Sequence, residues 1–314
     1  MRESPDISVV MGVFNGGAAL AATVESILDQ RDVFFELVAV DDGSRDGSGE
    51  MLEGYAGRDP RMVVIRQDNR GLTRALRRGC EIARGRLIAR HDAGDLSDPR
   101  RLALQQELIE RDATVAFVSC WTRYIAAEGE ELKIECGGVA NEQPIGILDA
   151  SKPWGVIGGP TSHGSVMMRR DAYERAGGYR EQFYFGQDWD LWYRLAAIGR
   201  FAVRQQALYT MRVTPGSIST SSKTIQERLA KLSLAAMRAR VAGEDESPIL
   251  ARAAAIRPPF PQRRTVRADG LYFIGETLRR RGDPAAARYL RRAIATRPWM
   301  LRAWIRWMQA RGVI

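Results

Sequence analysis

The sequence is poor in several things, and each shortage excludes something. Cysteine occurs three times in 314 residues, at Cys80, Cys120 and Cys136, with no C-x-x-C spacing. An odd, scattered set gives neither a disulfide framework nor a zinc site, so buried thiols are expected. Histidine occurs only at His91 and His163, which excludes a histidine-rich metal centre. No apolar run approaches the ~18–20 residues needed to cross a bilayer. The N-terminal MRESPDISVV enters a strand-like run directly, with no signal-peptide core. A cytoplasmic chain is expected, at most peripheral at the inner face of a membrane. The fingerprint G-x-G-x-x-G is missing after the first strand, where Val13, Phe14 and Asn15 follow Gly12, so a conventional nicotinamide site is unexpected. Zinc-finger and aromatic ribonucleoprotein signatures are missing too, and no nucleic-acid partner is expected.

What is present is an ordinary globular composition, 45% hydrophobic and 27% charged, with 30 Gly and 13 Pro. That length suits one large domain plus a smaller one. The net charge of +9 is carried mainly by arginine, more densely after residue 250. Two readings stand: attraction to nucleotides or anionic lipid surfaces, and a plain preference for arginine on solvated helix faces.

Along the chain, β-branched apolar runs alternate with helical spacing. ISVVMGV (7–13), FFELVAV (34–40), RMVVIRQ (61–67) and RLIARHD (86–92) read as buried strands. Between them, residues 18–30, 48–57 and 71–85 read as helices, the last with Leu72, Leu76, Cys80 and Ala83 inward and a stop at Gly85. Strands joined by helices of this length give right-handed crossovers and an open, mostly parallel, Rossmann-like α/β sheet. Further on, 115–125, 131–138, 164–170 and 200–213 read as strands, and helices are expected at 99–112, 171–178 and 188–199. From about Ser222 the pattern is helical and Pro-broken. Gly275, Gly282-Asp283-Pro284, Ala287, Ala293 and Pro298 resemble one tetratricopeptide-type helical pair, too few for a solenoid. The expected division is 1–222 as an α/β domain and 223–314 as a C-terminal helical appendage.

Ligands of open α/β sheets bind beyond the carboxyl ends of the strands. Three polar clusters fall there: Asn15-Gly16, Asp41-Asp42, and Asp92 to Asp95. Two carboxylates three residues apart at an apolar strand end repel each other. A hard divalent cation, Mg²⁺ or Mn²⁺, resolves that conflict, and the small Ala93 and Gly94 leave room for a diphosphate. The competing reading is helix capping by a polar loop, a task for which Asp98 is better placed. For Asp41 and Asp42 the alternatives are a plain Asx turn and hydrogen bonds to a base or ribose.

The blocks ISVVMGVFNGG…VESILDQ, ELVAVDDGSRDGS, NRGLTRALRRGCEIARGRLIARHDAGD, HGSVMMRRDAYERAGGYRE and GQDWDLWYRLAAIGRF together resemble glycosyltransferase family 2, in family order over residues 7 to about 213. The resemblance implies an inverting enzyme of the A-type nucleotide-sugar fold, like those that build bacterial surface polysaccharides. It implies a nucleoside diphosphate sugar donor, UDP-linked, a sugar or lipid-linked sugar acceptor, and a divalent metal. Residue by residue it assigns the nucleotide site to Val13, Asn15, Asp41, Asp42, Arg70 and Asp92, the metal to Asp92 and Asp95, and the base to Asp188. His163 and Trp189 fall on the acceptor side. The sequence departs from the family pattern at Gly94, where a carboxylate is usual, and at Gln187, where Glu is usual.

Asp188 suits general-base work, because inversion needs one carboxylate to take the acceptor proton while diphosphate leaves from the opposite face. Its alternative is a helix N-cap, and Asp190 is the next candidate base. Trp192 is expected in the core, Trp189 either in the core or stacked on an acceptor sugar. His163 is either an interior hydrogen-bonded residue or an acceptor contact, and Arg70 either faces the diphosphate or is solvated. Two rival functions stand beside transfer: a nucleotidyltransferase, for which NGGAALAA lacks the basic loop, and a non-catalytic sugar-nucleotide binder or scaffold. The helical appendage is assigned to docking on a membrane surface or a partner protein.

Overall fold

The computed structural model describes residues 4–137, 159–215, 223–256 and 263–313. Contacts divide the chain into two compact units: Met1–Thr122, Glu135–Thr210 and Arg228–Ile256 form the first, and Arg123–Ile134, Met211–Glu227 and Arg257–Ile314 the second. Ser222, the expected boundary, lies outside the described residues. The helical stretch 228–256 groups with the α/β unit rather than with the later helices, and residues 123–134 group with those helices.

In the first unit, β1 (Ile7–Val13), β2 (Phe35–Asp41), β3 (Met62–Arg66) and β4 (Leu87–Asp92) are the four expected buried strands. They lie in the order β3-β2-β1-β4, all parallel. Beyond β4 the sheet continues through β8 (Met167–Arg169), β6 (Val115–Ala126), β9 (Arg200–Val213) and β5 (Leu96–Ser97). There the pairings β4 with β8, β6 with β8 and β5 with β9 are antiparallel. The open sheet is thus parallel from β3 to β4 and antiparallel at these three later pairings. β7 (Glu131–Glu135) pairs with β6.

Alternation along the strands sorts side chains to two faces. Val9, Met11, Leu37, Ala39 and Ala89 pack with Leu20, Val24 and Ile27 of α1 (Leu20–Leu28), Leu52 of α2 (Ser48–Ala56), and Leu102 and Ile109 of α4 (Arg101–Glu110). Val10 and Ile88 pack with Leu76 and Cys80 of α3 (Leu72–Ile82), Tyr173 of α5 (Arg170–Arg175), and Leu191, Trp192 and Leu195 of α6 (Gln187–Ala196). Each sheet face is therefore covered by helices, as a parallel sheet requires. Gly12 lets α3 approach closely, since a Cβ there would sit 3.0 Å from Leu72 Cδ1. Cys80 and Cys120 are buried as expected, whereas Cys136 is exposed, because it follows β7.

The strand ends align. Val13 is the partner of Asp41, and Gly12 the partner of Asp92. The three polar clusters therefore meet at adjacent strand ends, ~4.8 Å apart from strand to strand.

The helices α7 (Lys223–Ala242) and α8 (Ser247–Ala254) follow. Leu234 and Met237 of α7 pack on Tyr193 and Trp189 within the first unit. The second unit is built on α9 (Arg263–Arg280), α10 (Ala286–Thr296) and α11 (Leu301–Ala310). Leu271, Ile274, Tyr289, Ala293 and Ala303 form its core with Ala126, Leu132 and Val213. The expected helical pair is α9 and α10. They cross at Gly275, where a Cβ would lie 2.7 Å from Leu290 Cγ.

Candidate active site

The first loop of the site follows β1. Asn15 adopts φ 51° there, and its backbone amide donates to Ser44 Oγ at 2.9 Å while its Oδ1 accepts from the Arg45 amide at 2.9 Å. The next two amides, of Gly16 and Gly17, donate to Ser48 Oγ at 2.9 Å and Asp46 Oδ2 at 3.0 Å. The Asp42 amide donates to the Val13 carbonyl at 2.8 Å. The loops after β1 and β2 are thereby knitted into one rim.

Asp41 and Asp42 part to opposite faces of the sheet. Asp42, 2% exposed, accepts from Gln67 Nε2 at 2.7 Å, the Arg70 amide at 2.8 Å and the Gly71 amide at 2.7 Å. It fixes the loop that leads into α3. Asp41 Oδ1 accepts from the Ser44 amide at 3.0 Å, while its Oδ2 accepts no hydrogen bond and faces Arg66 Nε at 3.4 Å. Both carboxylates thus shape loops, which is more than a plain turn requires. Arg70 reaches this cluster through its amide. Its exposed side chain lines a basic groove of about 680 Å³ with Arg66, Arg74, Arg77 and Arg78.

The centre lies at the end of β4. Ile88, Arg90 and Asp92 share one face by alternation, the face covered by α6. Arg90 is 1% exposed, and its Nη2 meets Asp92 Oδ1 at 2.5 Å while its Nη1 donates to the Val10 carbonyl at 3.2 Å. Burial opposes the Asp92 charge, but Arg90 holds the carboxyl below its ordinary value. The Asp92 side chain stays 31% exposed and is the accessible acid of the pair. Asp95, 5% exposed, accepts from the Tyr209 hydroxyl at 2.7 Å, and that same hydroxyl accepts from the Asp92 amide at 3.1 Å. Asp98 accepts from the Arg100 amide at 2.9 Å in the turn ahead of α4, whose N-cap is Arg100 with no side-chain capping bond, so neither Asp92 nor Asp95 caps that helix.

Asp188 approaches the same place from α6. The residue preceding this helix is Gly186 at φ 71°, so Asp188 lies inside the first turn and is not the N-cap. Its Oδ1 accepts from the Trp189 amide at 2.9 Å. Burial pushes its carboxyl up to about 6, and the nearby charge of Asp92 adds to the rise while Arg90 opposes it. Asp190, the alternative, is differently placed. It is 1% exposed and held by Arg194 at 2.5 Å as part of a chain of charges through Arg180 and Glu246.

His163 opens the helical turn His163–Ser165, and its Nε2 pairs with Tyr179 OH at 2.8 Å. Burial, then Arg90, lowers the imidazole to about 3, so it is neutral near pH 7. Trp192 is core, 3% exposed, and Trp189 is half-buried with its ring 4.9 Å from that of Trp192 and 5.8 Å from that of Tyr193. The structure therefore brings Asp92, Asp188 and His163 together around Arg90, and Asn15, Asp41 and Asp42 around the rim. Arg90 and Tyr209 were missed by sequence reasoning. The one available signal for Arg90 was a charge directly after the apolar run Leu87-Ile88-Ala89 and still within the expected strand.

Among the described residues no group of three or more His, Cys, Asp or Glu side chains is arranged to hold a metal ion. Nor is any helix long and apolar enough to cross a membrane.

With this geometry in view, the comparisons are informative. The model of glycosyl transferase family 2 matches residues 8–177. EpsE of Bacillus subtilis (strain 168) is 34% identical over 219 residues, spanning 68% of this chain and 74% of EpsE. Glycosyltransferase GlyG of Streptococcus pneumoniae serotype 4 is 37% identical over 111 residues, spanning 35% of this chain and 37% of GlyG. Among solved structures, S. aureus TarS 1-349 in complex with UDP-GlcNAc aligns with a TM-score of 0.57 at 14% identity, covering 97% of this chain and 89% of that one. At that identity the likeness concerns the fold. The family match sets aside the nucleotidyltransferase and scaffold readings. The family match over residues 8–177 and the likeness to EpsE together show that the chain belongs to glycosyltransferase family 2.

Proposed function

We propose that the protein transfers a sugar, with inversion, from a UDP-linked donor to an acceptor hydroxyl in polysaccharide or glycoconjugate synthesis, with Asp188 as base. The observation that carries this reading is the pairing of Asp188, raised to about 6, with Asp92 held low beside Arg90. Two carboxylates with opposed shifts in one site divide the work of base and charge holder. The acceptor O–H gives its proton to Asp188, and the acceptor oxygen bonds to the anomeric carbon. The bond from that carbon to the diphosphate oxygen breaks, and the diphosphate leaves with the electron pair. Arg90 is assigned to keeping Asp92 ionised, and the rim set by Asn15, Asp41, Asp42 and Val13 is assigned to the nucleotide. His163, being neutral, orients rather than ionises, and with Trp189 it is assigned to the acceptor. TarS supports the donor class by analogy, since its structure holds UDP-GlcNAc.

A two-carboxylate metal site fits these residues poorly, because Asp95 is buried against Tyr209 and Gly94 offers no ligand. A site of Asp92 with donor phosphate and water does fit, since Mg²⁺ and Mn²⁺ keep waters and need few carboxylates. Bound there, the ion would neutralise the leaving diphosphate. Asp95 is then assigned to holding Tyr209 and the loop.

The test is thermal stabilisation by a panel of sugar nucleotides, with and without Mn²⁺, in wild type and Asp92→Ala. Stabilisation by a UDP-sugar that grows with Mn²⁺ and loses that growth in Asp92→Ala is expected. Unchanged Mn²⁺-dependent stabilisation in the variant would overturn the ligand assignment, and a response to another nucleotide alone would overturn the donor.

A further inference from the structure

Within the second unit, α11 is apolar on two sides. Ala303, Trp307 and Ala310 face the core of that unit. Leu301, Trp304 and Ile305 lie on another stripe and are 75%, 41% and 45% exposed, with Trp299 just before them at 73%. Isolated surface apolar residues need no explanation, but three large ones on one side of a helix with a fourth just before it do. The charge around them is equally one-sided. Residues 263–313 hold thirteen arginines against three acids, a net of +10 where the whole chain carries +9. No acid lies between residues 284 and 313. Some of this charge is met within the unit: Glu276 faces Arg279, Arg280 and Arg306, Asp269 faces Arg302, and Glu128, Glu130 and Glu131 face Arg281, Arg288 and Arg292, which still leaves arginine in excess of carboxylate.

We propose that this stripe docks on an anionic lipid bilayer, with Trp299, Leu301, Trp304 and Ile305 in the headgroup boundary and the flanking arginines, Arg297 and Arg311 among them, on the phosphates. Indole rings prefer that boundary, and arginine stems let the guanidinium reach the headgroups while the chain lies over apolar surface. A helix with Trp, Leu and Ile on one side and Arg beside them lies in the interface rather than across it. A protein partner for so basic a surface would have to be acidic and carry a complementary pocket; a bilayer supplies charge and apolar depth together. The proposal does not depend on the sugar-transfer reading, because the stripe belongs to a different unit from Asp92 and Asp188.

The test is co-sedimentation of the full chain with vesicles of phosphatidylglycerol and phosphatidylcholine in equal parts, and with phosphatidylcholine alone. Binding to the anionic vesicles is expected, weakening with added salt. Leu301→Glu with Trp304→Glu should reduce it by at least about ten-fold, since two side chains leave the apolar boundary, at unchanged Tm and unchanged donor-induced stabilisation. If the double variant loses Tm, Trp299→Ser, at a position outside α11, carries the same expectation. Equal binding by these variants would overturn the proposal. So would equal binding to neutral vesicles, or a self-association lost in the variants together with no vesicle binding, which would make the stripe a contact between copies.

Discussion

At the scale of single residues, Asp188 carries the sharpest consequence. Its carboxyl is raised from 3.8 to about 6, mainly by burial. Below about pH 6 it is protonated and cannot accept the acceptor's proton, so the transfer rate should fall on the acid side and be flat above. Between the unfolded value and about 6, the folded state holds a proton that the unfolded chain has released, so stability declines as pH rises through that window. Asp188→Asn removes the buried charge. The variant should be more stable than wild type at pH 8, by at most about 3 kcal/mol, with the gap closing near pH 4. Transfer should fall by ~10²–10⁴-fold while donor binding survives. Melting curves at both pH values, beside transfer rates and donor affinity, check this; a variant that is less stable at pH 8 or loses donor affinity in step with rate would make Asp188 structural. Asp188 and Asp92 were legible in the sequence because carboxylates at the ends of apolar segments need a reason. Arg90 was not, since a lone arginine in a short strand also reads as a strand end. Tyr209 was not, because it comes from a strand 117 residues beyond the amide it holds.

At the scale of elements, the loop between β3 and α3 is positioned by one side chain. Asp42 takes three hydrogen bonds from Gln67, Arg70 and Gly71, and it is buried. Asp42→Ala leaves those donors without their acceptor, at a cost of about 2–4 kcal/mol. The expected outcome is a lowered Tm and a loss of UDP affinity of at least about ten-fold, with Asp42→Asn intermediate. Titration of UDP into each folded variant decides it; undiminished affinity in Asp42→Ala would detach this loop from the nucleotide. The elements themselves were largely readable. Four strands joined by three helices dictate a parallel sheet, whereas the order β3-β2-β1-β4 was not readable, because the chain passes over β2 and β1 between β3 and β4. The antiparallel pairings were not readable either, because β8 lies between β4 and β6 by pairing across long stretches of chain that no local period records. The two-residue β5 carries too few positions to show alternation at all.

At the scale of the whole molecule, the two units are not successive along the chain. The sequence shows a change of character near residue 222, which marks where the helices begin. It does not show that 123–134 and 211–227 join the later helices, because membership in a core depends on contacts distant in sequence. The polypeptide passes from one unit to the other at five points, so no single backbone cut separates them. A chain stopped near residue 222 would also strip Ala126, Leu132 and Val213 of the helices that bury them. Point substitutions are therefore the cleaner probes of the C-terminal helices. The same threading makes the protein a natural case for fragment complementation. If a protease site placed within residues 257–262 is cleaved, the piece from 263 onward should not diffuse away, since its partners Leu132 and Val213 remain on the other piece. The nicked protein should elute as one species in size exclusion and separate only in denaturant. Two species under native conditions would show that the helices hold their core without those strands. Inheritance of the two pieces as separate genes, or their reassembly from separately expressed halves, would then be open to this fold without any interface having to be invented.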